Sequence, residues 1–181
     1  MTFYIYYNNN KGFFMHKWLD FLKNNDYLGV KKYIKEGADV NDFNESGESV
    51  LACGIRERCD FELLMLLMNS GADKFDFDEE GVSIFDMAIT YDNTEMVRYL
   101  IEEGIDVNKT TRRSGFTSLM AAACYGRVEI AKILLDKGVN QNAVDVKGFR
   151  AVDFARKMNK KSVLALLEYD ISTPKNTNHA R

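Results

Sequence analysis

Three stretches of the chain carry apolar residues at helical spacing, and each runs into a glycine. They are Leu63, Leu64, Leu66 and Leu67 before Gly71; Met96, Val97, Leu100 and Ile101 before Gly104; and Ile130, Ile133, Leu134 and Leu135 before Gly138. Apolar residues three and four apart share one face of a helix, so each stretch predicts an amphipathic helix with one flank to bury. The glycine fits the left-handed position that ends such a helix. Gly37 extends the series toward the N-terminus, and the four glycines stand 34, 33 and 34 residues apart.

A second ladder runs in phase with the first. Gly47, Gly81, Gly115 and Gly148 are spaced 34, 34 and 33. Two positions after them come Ser49, Ser83, Thr117 and Arg150. Four positions after come Leu51, Phe85, Leu119 and Val152, and seven after come Gly54, Ala88, Ala122 and Ala155. Ser or Thr at that point can accept the amide hydrogens that a first helical turn leaves without partners. The small residues let neighbouring helices approach closely. A fixed period of this length is the signature of a repeat architecture. Each unit is too small to bury its own flank and must seal it against the next, so the array is read as one cooperative body.

These two ladders resemble the ankyrin repeat. Residues 115–126, GFTSLMAAACYG, are the nearest copy of its first-helix motif, and LLMNSGAD (66–73), LIEEGIDVN (100–108) and LLDKGVNQN (134–142) are similar to its second-helix ending. The resemblance covers about residues 15–170. It implies an all-α solenoid of paired antiparallel helices joined by hairpin-like loops, with no enzymatic activity and no cofactor. The expected layout is a flexible segment 1–12, a repeat domain 13–170 and a flexible tail 171–181. Within the domain the repeats run 13–43, 44–77, 78–110, 111–144 and 145–170, and Met15 is an alternative start.

The departures from the family pattern are specific. Its proline is replaced by Val50, Ile84, Ser118 and Ala151, which implies a less rigid array. Its histidine is replaced by Ala52, Asp86, Met120 and Asp153, which removes an inter-repeat hydrogen bond. One extra residue falls in Arg56–Cys59 and another in the loop from Lys109 to Ser114. The first repeat has a divergent first helix whose expected buried face is Trp18, Phe21 and Leu22. The last places Lys157, Lys160 and Lys161 on an exposed terminal face.

Composition changes this picture little. Apolar residues make up 46% of 181, charged residues 28%, and the formal net charge is −3. That lacks the basic surplus of a nucleic-acid binder, so no nucleic-acid partner is expected. No apolar run reaches membrane-spanning length, and residues 1–10 lack the basic start and apolar centre of a signal peptide, which points to the cytoplasm. Cys53, Cys59 and Cys124 have no paired spacing and are read as reduced thiols. Richness in Asn, Lys, Phe, Tyr and Asp, with Pro174 alone, suits an AT-rich genome such as that of many bacteria.

Candidate chemistry gathers at the loop tips, by resemblance the partner-binding part of such a stack, together with the first-helix faces of a concave groove. The tips are Asp42–Ser46, Lys74–Glu80, Lys109–Ser114 and Ala143–Lys147. The second tip carries Phe75, Asp76, Phe77, Asp78, Glu79 and Glu80. Aromatic rings in a charged rim suit a binding hot spot, unless the rings fold down over the helix ends. In the family the position of Phe75 is commonly Asn, which shapes the loop. The third tip has the opposite sign through Lys109, Arg112 and Arg113, either steering a complementary partner or pairing with neighbouring acids. Tyr91, Tyr125 and Arg56 occupy positions that commonly face the groove. Glu48, Val82, Phe116 and Phe149 flank the tight glycines and either join that surface or pack on the adjacent loop.

Catalysis finds no support: His16 and His179 are the two histidines, neither has metal spacing, and Asp86 and Asp153 lie two repeats apart. The sequence therefore reads as a monomeric cytoplasmic adaptor or inhibitor that grips one protein partner. Rival readings are a toxin-neutralising immunity protein, a delivered effector, an accessory to a haem or redox enzyme that would use His16 or a cysteine, and a self-associating module.

Overall fold

Polar side chains start the short helices. Ser49 Oγ accepts from the backbone N–H of Ala52 at 3.3 Å, Ser83 Oγ from Asp86 at 3.1 Å and Thr117 Oγ1 from Met120 at 3.3 Å. These are the caps expected from the Ser/Thr ladder. The computed structural model describes residues 15–172, with side chains to 168. Of the expected flexible ends, 1–12 and 171–181, residues 1–12 and 173–181 lie outside them.

The chain divides into two units, residues 1–103 and 104–181. In the first unit α1 covers residues 15–23. It is followed by α2 (Tyr27–Lys35), α3 (Val50–Arg56), α4 (Phe61–Asn69), α5 (Ile84–Thr90) and α6 (Thr94–Glu102). In the second unit α7 (Ser118–Tyr125), α8 (Val128–Asp136), α9 (Ala151–Lys157) and α10 (Lys161–Ser172) follow one another. From α3 onward, helices of seven or eight residues alternate with longer ones. Helix α10 continues two residues past the expected end at 170.

Within each unit the helices pair and the pairs stack. In the first, α3 packs on α4 and α5 on α6, while α3 meets α5 and α2 meets α4. In the second, α7 packs on α8 and α9 on α10, and α7 meets α9 while α8 meets α10. Trp18, Leu22, Leu51, Ile55, Leu63, Leu64, Leu67, Ile89, Met96 and Leu100 are fully buried in the first unit. Leu119, Met120, Ala121–Ala123, Ile130, Leu134, Ala155 and Val163 fill the second. Phe21, expected in the core, is half-buried and packs at 5.7 Å from the Tyr33 ring. At the final pair Lys157 and Lys161 are exposed as expected, and the Lys160 stem lies across Gly126.

Between the pairs the chain makes a hairpin. Isolated antiparallel bridges join Phe43 to Ser49 and Phe77 to Ser83. Gly47 and Gly81 sit in these tips at φ 76° and 79°, where a side chain would be strained. Asparagine fastens one loop to the next. Asn41 Nδ2 donates to Gly71 O at 2.9 Å and its Oδ1 accepts from Asp73 N at 2.9 Å. In the second unit Asn108 Oδ1 accepts from Asn140 N at 2.7 Å. This is the loop-shaping role that a phenyl ring at position 75 cannot perform. Changing Asn41 to Ala should remove both bonds and lower stability by about 1–2 kcal/mol. The midpoint of urea unfolding followed by circular dichroism would show it, and an unmoved midpoint would refute the role.

At two of the positions where the family has histidine, an aspartate serves the start of its own helix instead. Asp86 is buried and accepts from Ser83 N at 3.1 Å and Ser83 Oγ at 2.8 Å, closing a capping box. Asp153 accepts from Arg150 N at 2.9 Å, so a carboxylate three residues on serves the helix start where no Ser or Thr stands. The two insertions lie where the sequence puts them. Four residues separate α3 from α4, and three separate α5 from α6. Inside the longer turn Arg58 adopts φ 60°, a left-handed conformation filled in the other turns by Asn25, Asp92, Gly126 and Asn159.

Candidate functional site

Each hairpin tip is built around an acceptor that folds back on its own backbone. In the first, Asn44 Oδ1 accepts from Ser46 N and Glu48 N, both at 2.9 Å. In the second, Asp78 Oδ1 accepts from Glu80 N at 2.9 Å and Val82 N at 2.8 Å. Turns of this kind are what Asn and Asp side chains favour locally. Asp78, expected to face a partner, therefore has one carboxylate oxygen committed to the turn. Glu79 and Glu80 project from its apex and are exposed.

The rings of the second tip do not fold down. Phe75 is 50% and Phe77 56% exposed, and Phe43, the counterpart of Phe77 in the first hairpin, is 46% exposed. Lys74 holds the base of this tip. Its ammonium pairs with Glu103, lies 3.4 Å from the Tyr99 hydroxyl and stands 5.5 Å from the Phe75 ring centroid. The Glu103 carboxylate and the Tyr99 hydroxyl raise the Lys74 pKa despite desolvation. A crevice of about 30 Å³ lies between the two hairpins, lined by Glu48, Ser49, Phe77, Val82 and Met87 among others. That volume admits about one water molecule. The tips thus offer a contact surface rather than a pocket.

Two expected groove residues are engaged within the molecule. Arg56 pairs with Glu48 and, at 3.4 Å, with Glu57, and Asn44 Nδ2 donates to the same Glu48 carboxylate at 2.6 Å. Tyr91 stands at the far end of α5 from its hairpin, about 10 Å along a seven-residue helix. There it lines an open cleft of about 430 Å³ with Arg58, Asp60, Phe61, Asp92 and Glu95. The tips and Tyr91 are therefore separate places.

In the second unit the loops are tied differently. Thr110 Oγ1 donates to Phe116 O at 2.8 Å and accepts from Arg112 N at 3.1 Å, which closes the longer third loop. Asp145 Oδ1 accepts from Lys147 N and Phe149 N, both at 2.9 Å. Val146 N donates to Ser114 O at 2.9 Å and joins the two loops. Phe116 and Phe149 both pack edge-to-face on Phe154, at 5.0 and 6.1 Å. The Arg112 guanidinium lies over the Phe116 ring at 5.1 Å. Lys109 and Arg113 are exposed, as is Tyr125, which has Arg127 at 6.0 Å from its ring. Phe154 was not among the residues expected at a site. It sits inside the helical pattern of α9, and only its register, level with Cys53, Met87 and Ala121, marks it as a ring where other repeats carry smaller groups.

The charge is divided by unit. Residues 1–103 hold ten Lys and Arg against twenty Asp and Glu; residues 104–181 hold fourteen against seven. The modest total of −3 conceals this separation.

His16 is exposed on α1 at 4.0 Å from Asp20, and no group of three His, Cys, Asp or Glu among the described residues is placed to hold a metal ion. Burial pushes the Cys53 and Cys59 thiols up to about 12, which suppresses the reactive thiolate. Cys124 is partly exposed. A thiol reagent at neutral pH should modify Cys124 in the folded protein and reach Cys53 and Cys59 only in denaturant. Mass spectrometry of the labelled peptides checks this, and early labelling of Cys53 would contradict it. No helix of the described residues is long and apolar enough to cross a membrane.

Comparison with known proteins adds four observations. The profile of a family described as Ankyrin repeats (3 copies) matches residues 21–111 and 108–177. The E3 ubiquitin-protein ligase hecd-1 of Caenorhabditis elegans is 42% identical over 74 residues, 41% of this chain and 3% of that protein. The putative ankyrin repeat protein R664 of Acanthamoeba polyphaga mimivirus is 34% identical over 90 residues, 49% of this chain and 55% of the viral one. The chicken nuclear factor NF-kappa-B p105 subunit is 34% identical over 111 residues, 60% of this chain and 11% of that protein. This chain therefore spans a small part of two of these relatives and about half of the third. They come from animals and a virus, and lend no support to the bacterial source expected from composition.

Proposed function

The chain belongs to the ankyrin repeat family, and from that premise we propose that it is an adaptor or inhibitor that holds one protein partner through its hairpin tips. Ankyrin repeats are protein–protein interaction modules rather than catalytic ones. The observation that carries the finer reading is the half-exposure of Phe43, Phe75 and Phe77 on tips whose backbones are fixed by their own Asx turns. Rings held in place lose little freedom on binding, and rings beside a charged rim are the side chains on which interfaces concentrate their energy. Glu79 and Glu80 supply that rim in the first unit. A cytoplasmic setting and a monomeric state belong to the same proposal, and the three free cysteines are compatible with a reducing compartment.

Ligase chemistry belongs by name to hecd-1, of which 3% aligns, and none of it is carried to this chain. The test is recovery of a co-purifying partner by the wild-type protein and by Phe77→Ala. Removing this exposed ring should leave the circular dichroism spectrum unchanged and weaken partner binding at least about tenfold, the loss expected of a hot-spot ring. Equal affinity of the folded variant would refute the role of the tip.

A further inference from the structure

We propose that the aromatic face of the second unit docks an acidic segment of a partner protein, with an apolar side chain of that segment seated on the phenylalanine cluster. The proposal rests on the protein-binding reading and names the partner's chemistry. Three rings form the seat. Phe116 and Phe149 close edge-to-face on Phe154, at interplanar angles of 85° and 70°. Phe149 remains 45% exposed, and Val144 and Val146 of the same loop are exposed at 55% and 71%. The backbone beneath is fixed before any partner arrives, by the Val146–Ser114 bond and the Asp145 turn. A preformed seat of this kind needs little ordering on binding.

The rim decides the sign of the partner. Arg112, Arg113, Lys147, Arg150 and Arg156 lie in the two loops and on α9. The acids beside them are Asp145, Asp153 and Glu168, and Glu168 lies 3.2 Å from the Arg156 guanidinium. Asp145 holds two backbone amides of its turn, and Asp153 accepts from Arg150 N and lies 3.7 Å from the Arg150 side chain and 3.6 Å from that of Arg156. The surrounding field is therefore positive, in keeping with a unit holding twice as many basic as acidic residues. Complementary carboxylates on a partner would be steered there and rejected elsewhere on the acidic first unit.

Basic groups around aromatic rings also suit single-stranded nucleic acid, which stacks its bases on open ring faces. The geometry disfavours it. The rings stand edge to face, so no two present parallel faces, and Arg112 covers the face of Phe116. Phe149, 45% exposed, offers an apolar contact to an aliphatic or aromatic side chain.

The test is selection from a random-peptide display library on the immobilised full chain, followed by affinity measurement on wild type, Phe149→Ala, Phe77→Ala and the Arg113→Glu, Lys147→Glu pair. All substituted side chains are exposed, so folding is expected to survive and is checked by circular dichroism. The expected result is enrichment of net-negative peptides containing Leu, Phe or Ile. Their affinity should fall about tenfold or more with Phe149→Ala and with the charge pair, and fall with rising salt. Neutral or basic peptides, or acidic ones indifferent to Phe149, overturn the proposal. Peptides that depend on Phe77 alone overturn it while sustaining the broader protein-binding reading. Tight binding of oligouridylate that is lost with Phe149→Ala overturns it in favour of nucleic acid. No enrichment on any face counts against both readings.

Discussion

Replacing Trp18 by alanine is expected to lower the stability of the first unit by about 4 kcal/mol. The indole is fully buried in α1 and meets the Tyr33 ring edge-to-face at 5.0 Å. Tyr33 in turn carries Phe21 at 5.7 Å and the Lys17 ammonium at 4.0 Å from its ring centroid. Truncation would leave a void at the centre of this group, with few mobile side chains to collapse into it. The indole N–H finds no acceptor among the described residues, so Trp18→Phe surrenders no hydrogen bond there and should lose clearly less than Trp18→Ala. Trp18 is the sole tryptophan, so unfolding must be followed by far-ultraviolet circular dichroism in guanidinium chloride rather than by indole fluorescence. Matching midpoints for wild type and Trp18→Ala would show that the first repeat contributes no core.

The second large effect comes from adding atoms rather than removing them. Ala122 is fully buried in α7, between Ala121 and Ala123, and α7 packs on both α8 and α9. Ala122→Leu inserts three carbons where the packing has no room, and should destabilise by about 3 kcal/mol. Leucine and alanine have similar helix propensity, so the loss would report packing alone. Lys132→Leu on the exposed side of α8 is the control and should shift the midpoint little. A midpoint for Ala122→Leu equal to that of the control would mean that the helices of this unit stand further apart than the structure places them.

The fold was legible because its determinants repeat. Gly47 and Gly81, Ser49 and Ser83, Ala88 and Ala122 each answer one local demand, and each demand recurs at the same interval. Chemistry that does not recur was harder to read. The period exposes Asp86 and Asp153 as departures from a histidine pattern, which suggested only a lost bond. Their service to the helix start depends on a carboxylate reaching back three residues, a local geometry that the comparison between repeats does not weigh. The register of Arg56 points to the groove, whereas its guanidinium pairs with Glu48, eight positions before it. Phe75 and Phe77 were found because two rings among four acids break the expected composition of a tip. Phe154 was missed because a ring in an amphipathic helix looks like core. Its contacts with Phe116 and Phe149 need the third dimension, since the three lie in different elements. Phe43 stands level with Phe77, six residues before its helix cap, and that register is its signal in the sequence.

The Asx turns have a consequence for how such a protein changes over time. Asn44, Asp78 and Asp145 fasten each apex with bonds that begin and end inside it. The side chains displayed there, Glu79, Glu80 and Lys147 among them, owe nothing to helix formation. Point mutations at these positions can rewrite the recognised sequence without penalty to the scaffold, so new specificity is open to selection one residue at a time.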